Sequence, residues 1–469
     1  MMSRLLASLL LVFVALESHT VAPARRRDPM DARLDDFVRG EMERQRIPGV
    51  AVGIIKGGAV LKADGFGFAN VEHMVPVGTD TIFQSGSLGK QFTAAAVMLQ
   101  VEAGRLALGD SIKKFFPDAP DTWRPITVRH LLTHTSGIPD YAVGTFDYRK
   151  DYTEDDLASF AFKLPLEFPP GSHWNYSNTG YLLLGVIVRK VSGRFYGDVL
   201  ADGVFKPLGM ATTRIISESD IVPHRAAGYR LEKGELKNQE WVSPSLNTTA
   251  DGALYFSLRD LIAWDAGVRA HKIMIADSWS QVLTPVKLNS GKSFPYGFGW
   301  GIEERGGQPL QQHGGAWQGF KTHYARFLGD DLSIIVLANL QQAEPSRFVD
   351  GVAAILNPAL SVPELKPIED REPKVTARML KLVDQARKGA LSAADFAYVR
   401  AGFFPEAAAR YAGELRAAGA VRRTTLLERK ELGDDRIYLY ELACDASTLR
   451  LRLGLAPDDR IAVFSLTAK

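Results

Sequence analysis

The chain has 469 residues, 46% of them apolar and 23% charged, enough for a large core in two or three domains. Its net charge is +2 and no long basic stripe interrupts it, which excludes a nucleic-acid footprint. A single cysteine, Cys444, excludes an internal disulfide, so the fold rests on its core.

Residues 1–24 read as a secretory signal peptide: Arg4, the apolar run Leu5 to Leu16, then Ala22-Pro23-Ala24 as a small-residue cleavage site. The run is shorter than the ~20 residues of a membrane span, so the expectation is a secreted or periplasmic protein with no transmembrane anchor after cleavage. Asp31 to Gln45 then places Leu34, Phe37, Val38 and Met42 on one helical face and stops before Pro48. Two apolar runs, Val50 to Ile55 and Ala59 to Lys62, flank Gly57-Gly58 and read as a β-hairpin.

The stretch Phe83-Gln84-Ser85-Gly86-Ser87-Leu88-Gly89-Lys90-Gln91-Phe92-Thr93 opens a helix that carries Phe92, Ala95, Ala96, Leu99 and Val101 and ends at Gly104. Residues three apart share a helix face, so the Ser87 hydroxyl can meet the Lys90 amine, as a serine nucleophile with a lysine base requires. The plainer reading makes Ser87 an N-cap and Lys90 a solvated helix residue.

Short helices follow at Thr127 to Thr133 and Thr153 to Phe162, the latter opened by a capping pattern. Pro169-Pro170-Gly171 turns into Trp174-Asn175-Tyr176-Ser177-Asn178, and Tyr181 to Val191 is an apolar helix ending near Gly193. Strand patterns return at Tyr296 to Gly301 and Leu332 to Leu337, with His313-Gly314-Gly315 and Tyr324 to Phe327 between. Glycine in these strands suggests close backbone approach. Pro363 to Pro373 turns to proline and charge and reads as a linker. Beyond it, two or three helices and strands near Thr424 to Lys430, Arg436 to Ala443, Thr448 to Leu453 and Arg460 to Leu466 suggest an accessory domain without chemistry of its own. Cys444 closes one of these strands and reads as an inert, buried thiol.

Three stretches in this order, Ser87-x-x-Lys90, Tyr176-Ser177-Asn178 and His313-Gly314-Gly315, resemble the serine β-lactamase and penicillin-binding-protein superfamily, closest to its class C branch of DD-peptidases, D-aminopeptidases and esterases. Ile47 to Ala51, Leu131 to Ile138 and Ala250 to Leu254 are similar to that family as well, over roughly residues 35–345. The resemblance implies an α+β fold: an antiparallel sheet flanked by helices plus an all-helical lobe, with the small C-terminal α+β domain appended. The expected boundaries are 31–360 for the hydrolase domain, 361–373 for the linker and 374–469 for the accessory domain.

It also implies roles. Ser87 is the acylated nucleophile, Lys90 and Tyr176 are the proton-transfer pair, and Asn178 holds Lys90 or a substrate amide. His313, Gly314 and Gly315 line the opposite wall, with the N–H groups of Ser87 and Ala316 as oxyanion hole. The family's usual Lys-Thr-Gly is His313-Gly314-Gly315 here, which removes a fixed cation and weakens the case for a β-lactamase. Trp317 and Phe320 are either an apolar substrate wall or core.

The expected function is a hydrolase of D-amino-acid peptides, β-lactams or carboxylesters on a small-molecule or peptide substrate, with no cofactor, metal or nucleic-acid partner. A non-catalytic binding protein of the same fold is the alternative. His130 and His134, four apart, read only weakly as a zinc pair. Gly291-Lys292-Ser293 lacks the first glycine of a phosphate loop. A Ser–His–acid triad through Ser136 or Ser177 stays open, since triads are spatial.

Overall fold

The computed structural model describes residues 28–469 except 145 and 217–219, so the expected signal peptide lies outside the described residues. A seven-stranded antiparallel sheet forms its centre, in the order 301–305, 308–317, 320–327, 332–338, 49–56, 59–70 and 75–76. The expected hairpin is Gly49–Lys56 with Ala59–Asn70. Its first strand also pairs with Leu332–Ala338, from Val50↔Ala338 to Lys56↔Leu332, so segments nearly three hundred residues apart meet in mid-sheet.

Gly49–Lys56 is buried almost throughout, which is why it reads as a continuous apolar run rather than an alternating one. Val50, Val52 and Ile54 pack with Leu34, Val38, Phe348 and Val352 of the helices Pro29–Gln45 and Pro345–Leu356. Ala51 and Ile55 join the larger core on the other face, with Leu258 and Trp264 of the helix Leu258–Arg269.

That second core continues into a helical lobe containing Val128–Leu132, Glu154–Phe162 and Asn178–Ser192. Thr153 and Asp156 form the expected capping box. Lys90–Glu102 runs between sheet and lobe and is buried nearly all round, its polar Lys90, Gln91, Thr93 and Gln100 included. Among the described residues no helix is long and apolar enough to cross a membrane.

One expected strand does not form. From Tyr296 to Trp300 the chain makes only a single bridge, Tyr296 to Gly301, before the strand Gly301–Arg305 begins. The alternating aromatic and glycine residues mimic a strand, but Gly299 has φ +78° and lies against the Lys90 carbonyl, where a Cβ would fall 2.8 Å from its carbon and oxygen. Gly299 serves close approach to the helix Lys90–Glu102.

Beyond residue 360 the helices Pro373–Lys388 and Ala408–Ala418 cover a second, four-stranded antiparallel sheet, Val421–Leu432, Asp435–Cys444, Thr448–Leu455 and Ile461–Ala468. Leu449, Leu451, Leu453 and Leu455 alternate inward onto Met379, Leu382 and Leu415, a core separate from the other two. Cys444 is half-buried, and burial pushes its thiol pKa up.

Candidate active site

Ser87 lies within the 3₁₀ turn Gly86–Gly89, and Lys90 is the first residue of the α-helix that continues it. A 3₁₀ turn has three residues per turn, so side chains at i and i+3 eclipse. Lys90 Nζ accordingly stands 3.1 Å from Ser87 Oγ. Ser87 caps no helix, and Lys90 has no exposed surface, so the plainer reading of both residues fails.

The turn is held by backbone contacts that only glycine permits. Gly86 has φ +51°, and a Cβ there would fall 2.3 Å from the Ala316 nitrogen. A Cβ on Gly315 would fall 2.0 Å from the Ser85 carbonyl oxygen. The strand Gln308–Trp317 is thus pressed onto the turn, and Thr322 Oγ1 donates to the same Ser85 carbonyl at 2.7 Å.

Lys90 Nζ also donates to Asn178 Oδ1 at 2.8 Å and to the Asp251 carbonyl. All three partners are uncharged. Burial lowers the Lys90 pKa to about 8, against the opposing pull of the Asp251 and Asp140 carboxylates. Asp140 accepts from the Asn178 and Thr179 amides at the start of the helix Asn178–Ser192 and from Asn178 Nδ2. That fixes the Asn178 amide with its oxygen toward Lys90.

The Tyr176 ring lies 4.9 Å from Lys90 Nζ. Its hydroxyl is buried and makes no well-formed hydrogen bond among the described residues. Burial drives its pKa up, only partly offset by the Ser87 hydroxyl beside it. Ser87, Asn178 and Ala316 line one cavity of about 270 Å³ with Tyr141, Phe146 and Trp317. Trp317 Nε1 is anchored on Asn247 Oδ1 at 2.7 Å, whereas Phe320 is core, edge-on to Phe83.

His313 does not line that cavity. Its Nδ1 is 2.6 Å from the Gly314 carbonyl, which can only accept, so Nδ1 carries the proton and Nε2 accepts from Tyr296 Oη at 2.9 Å. Tyr296 Oη in turn is 3.2 Å from His134 Nε2, and His134 Nδ1 accepts from the Ser177 amide at 3.1 Å. One proton order satisfies all four contacts: Ser177 N–H to His134, His134 Nε2–H to Tyr296, Tyr296 O–H to His313, and His313 Nδ1–H to Gly314. Burial, with the nearby Lys90, lowers the His313 pKa to about 3 and that of His134 well below its usual value. Both rings are neutral and hold the cleft's walls together.

The rival sites dissolve. His130 Nδ1 accepts from the Thr127 amide in a helix cap, and His134 is bound to Tyr296, so the two form no zinc pair. Ser136 accepts from the Ile138 amide in a local turn, and Ser177 accepts from the Gly180 amide as a helix cap. Among the described residues the one carboxylate cluster suited to a cation, Asp31, Asp35 and Asp64, already holds the Lys62 ammonium at 2.6–2.7 Å. Asp140, Asp251 and Tyr296 were assigned no role by the sequence. Asp140 follows one family-like stretch and Asp251 lies inside another, and neither stretch gave a hint of their charge acting on Lys90.

The fold coincides with that of known proteins. Residues 34–357 match the Beta-lactamase family, and the chain belongs to it, within the serine β-lactamase and penicillin-binding-protein superfamily. The chain is 31% identical over 306 residues to penicillin-binding protein 4* of Bacillus subtilis (strain 168), covering 61% of this chain and 67% of that one. It is 30% identical over 346 residues to a D-aminopeptidase of Gluconobacter oxydans (strain 621H), covering 72% of this chain but only 63% of the relative. Among solved structures it is similar to the octameric penicillin-binding protein homologue from Pyrococcus abyssi, with TM-score 0.63 and 25% identity over 93% of this chain and 96% of that one. A likeness that broad reaches past the catalytic region into the C-terminal sheet, which the resemblance seen in the sequence did not.

Proposed function

We propose that the chain is a serine hydrolase that forms an acyl-enzyme on Ser87 and cleaves amide bonds of peptides containing D-amino acids. The observation that carries this is Lys90: a buried amine 3.1 Å from the Ser87 hydroxyl, held by uncharged acceptors, with its pKa lowered to about 8. At pH 7 roughly one such amine in ten is neutral, against about one in a few thousand for a free lysine. The names of the relatives, D-aminopeptidase and penicillin-binding protein, favour an amide over an ester.

Neutral Lys90 takes the Ser87 proton as Oγ attacks the carbonyl carbon. The carbonyl π pair moves onto oxygen, where the Ser87 and Ala316 N–H groups receive it; such donors are often worth about 3 kcal/mol of barrier each. Burial raises Tyr176, which keeps it a phenol and favours it as the relay that carries the proton from Lys90 to the departing nitrogen. The C–N bond breaks, the amine leaves protonated, and water then hydrolyses the ester to acid and free Ser87. Lys90 and Tyr176 titrate as a pair, so the assignment is of roles within that pair. The aromatic walls Tyr141, Phe146, Tyr148 and Trp317 suit an apolar acyl group. A neutral His313 offers no cation to a β-lactam carboxylate, which disfavours a β-lactamase. Residues 1–24 as a signal would deliver the enzyme outside the cytoplasm.

Intact-protein mass spectrometry with a mixed panel of acyl-D-alanyl peptides, esters and β-lactams tests this. Wild type should gain the mass of an acyl group and Ser87→Ala should not, with turnover reduced by about 10⁴-fold or more. The same adduct on Ser87→Ala would refute the assignment.

A further inference from the structure

Residues 396–403 strap the C-terminal unit onto the rim of the catalytic cleft. One end hangs from the last strand, where the Ala397 amide donates to the Ile461 carbonyl at 2.8 Å. In the middle, the Tyr398 ring packs 5.3 Å from Phe168 and 4.8 Å from His173. At the other end, the Ala401 amide donates to Glu167 Oε1 at 2.6 Å, and Glu167 Oε2 accepts a short hydrogen bond from Asn175, the residue before Tyr176. Arg400 sits between two fixed points.

Its guanidinium is exposed and makes no hydrogen bond or salt bridge with the described residues. Its charge is nevertheless felt by Tyr176, His134 and Glu167. Arg400 lines a cavity of about 340 Å³ together with Tyr176, Asn175 and Asp140. This cavity adjoins the one at Ser87, since Asp140 and Ala142 line both. Ser87 lines only the first and Tyr176 only the second. Tyr176 delivers its proton to the departing nitrogen, so the second cavity is the leaving-group side.

The charges there are unequally engaged. Asp140 is occupied by the Asn178 and Thr179 amides, and Glu167 by Ala401 and Asn175. Glu406 and Arg410, both exposed, complete the rim, and Arg410 lies 3.7 Å from Glu414. Neither arginine is tied down by a side-chain hydrogen bond among the described residues, and the one whose charge reaches Tyr176 is Arg400. The opposite wall provides no cation, because His313 is neutral and buried.

The geometry points to Arg400 as a carboxylate-binding residue that reads the free C-terminus of the leaving group, making the enzyme selective for substrates that release an amino acid rather than an amino-acid amide. This rests on the acyl-enzyme reading of Ser87. A guanidinium fork matches a carboxylate with two parallel hydrogen bonds.

The test compares kcat/KM for an acyl-D-alanyl-D-alanine peptide with that for its C-terminal carboxamide. The ratio is internal to each protein, so a loss of folded enzyme cancels. Wild type should favour the free carboxylate, Arg400→Ala should lower the ratio by about tenfold or more, and Arg400→Lys should restore part of it. An unchanged ratio in Arg400→Ala, a wild type that prefers the carboxamide, or one that turns over esters but neither peptide would overturn the subsite while leaving Ser87 acylation standing. Absence of any turnover and of any Ser87-dependent adduct would remove the acyl-enzyme reading itself, and the subsite with it.

Discussion

Lys62 and Lys90 are both withdrawn from water, and their surroundings drive them in opposite directions. Lys62 Nζ is ringed by Asp31, Asp35 and Asp64 at 2.6–2.7 Å. Burial opposes its charge, but the three carboxylates outweigh burial and raise its pKa above the usual value. Lys90 Nζ meets a hydroxyl, an amide oxygen and a backbone carbonyl, with its carboxylates one layer further out, and burial wins. Charge in the immediate shell makes a lysine a structural ion; dipoles there, with charge behind them, leave it able to act as a base. The same residue type thus fastens the first helix to the sheet at one place and, on our reading, moves a proton at the other.

Replacing each lysine with methionine should break that contrast in opposite ways. Lys90→Met removes the proposed base, and kcat/KM should fall by about 10²–10⁴-fold with little change in the urea midpoint. Lys62→Met strands three carboxylates. A fully buried pair broken this way loses about 3–5 kcal/mol, but Asp31 and Asp64 are 41% and 53% exposed, so about 2 kcal/mol is expected. Activity per folded molecule should be kept. If Lys62→Met proved the less active enzyme and Lys90→Met the less stable one, the contrast would be wrong.

Changing pH sharpens it. The acylation rate should rise about tenfold from pH 7 and level off above an apparent pKa of about 8, the value to which burial lowers Lys90. Stability carries the two signs separately. Between about 8 and 10.5 the unfolded chain holds a proton that folded Lys90 has released, so this residue's contribution to stability rises with pH across that window. The Lys62 contribution is fully present below 10.5 and is lost as pH climbs through its raised folded value. Unfolding curves from pH 7 to 11 for wild type and the two methionine variants separate the slopes.

What could be read from the chain follows the distance over which each feature is determined. Ser87 and Lys90 meet because of one turn, Thr153 caps its helix because of Asp156 three residues on, and the Gly57-Gly58 hairpin is local as well. Such features were legible. Tyr296 to Trp300 was misread because its aromatic–glycine alternation is shaped by contact with Lys90, some two hundred positions earlier, rather than by a sheet. His134 looked like half of a metal pair because the tyrosine that engages it arrives from the far side of the molecule. Arg400 could not be singled out at all. Its place depends on a carboxylate at Glu167 and on Ile461, and no local spacing records either.

The smallest expected effect concerns the four contacts that run from Ser177 to Gly314. Tyr296→Phe deletes one hydroxyl and orphans two groups at once, the proton on His134 Nε2 and the lone pair on His313 Nε2. Two buried unsatisfied atoms would cost about 2–6 kcal/mol if neither relaxed, but a water can enter the space of a lost hydroxyl, so about 1–2 kcal/mol is expected. The more searching measurement is the tautomer of each ring. Imidazole nitrogen-15 spectra at pH 6 to 7 should show both rings neutral, with His134 protonated on Nε2 and His313 on Nδ1. In Tyr296→Phe the constraint on His313 Nε2 is gone while its Nδ1–H still meets Gly314, so His313 should keep its tautomer and His134, held through its Ser177 contact, should keep its own. The walls of the cleft would then be set by the two backbone contacts at the ends, with the tyrosine as a bridge. A cationic ring at either position in wild type would mean that the cleft does carry the charge this proton order denies it.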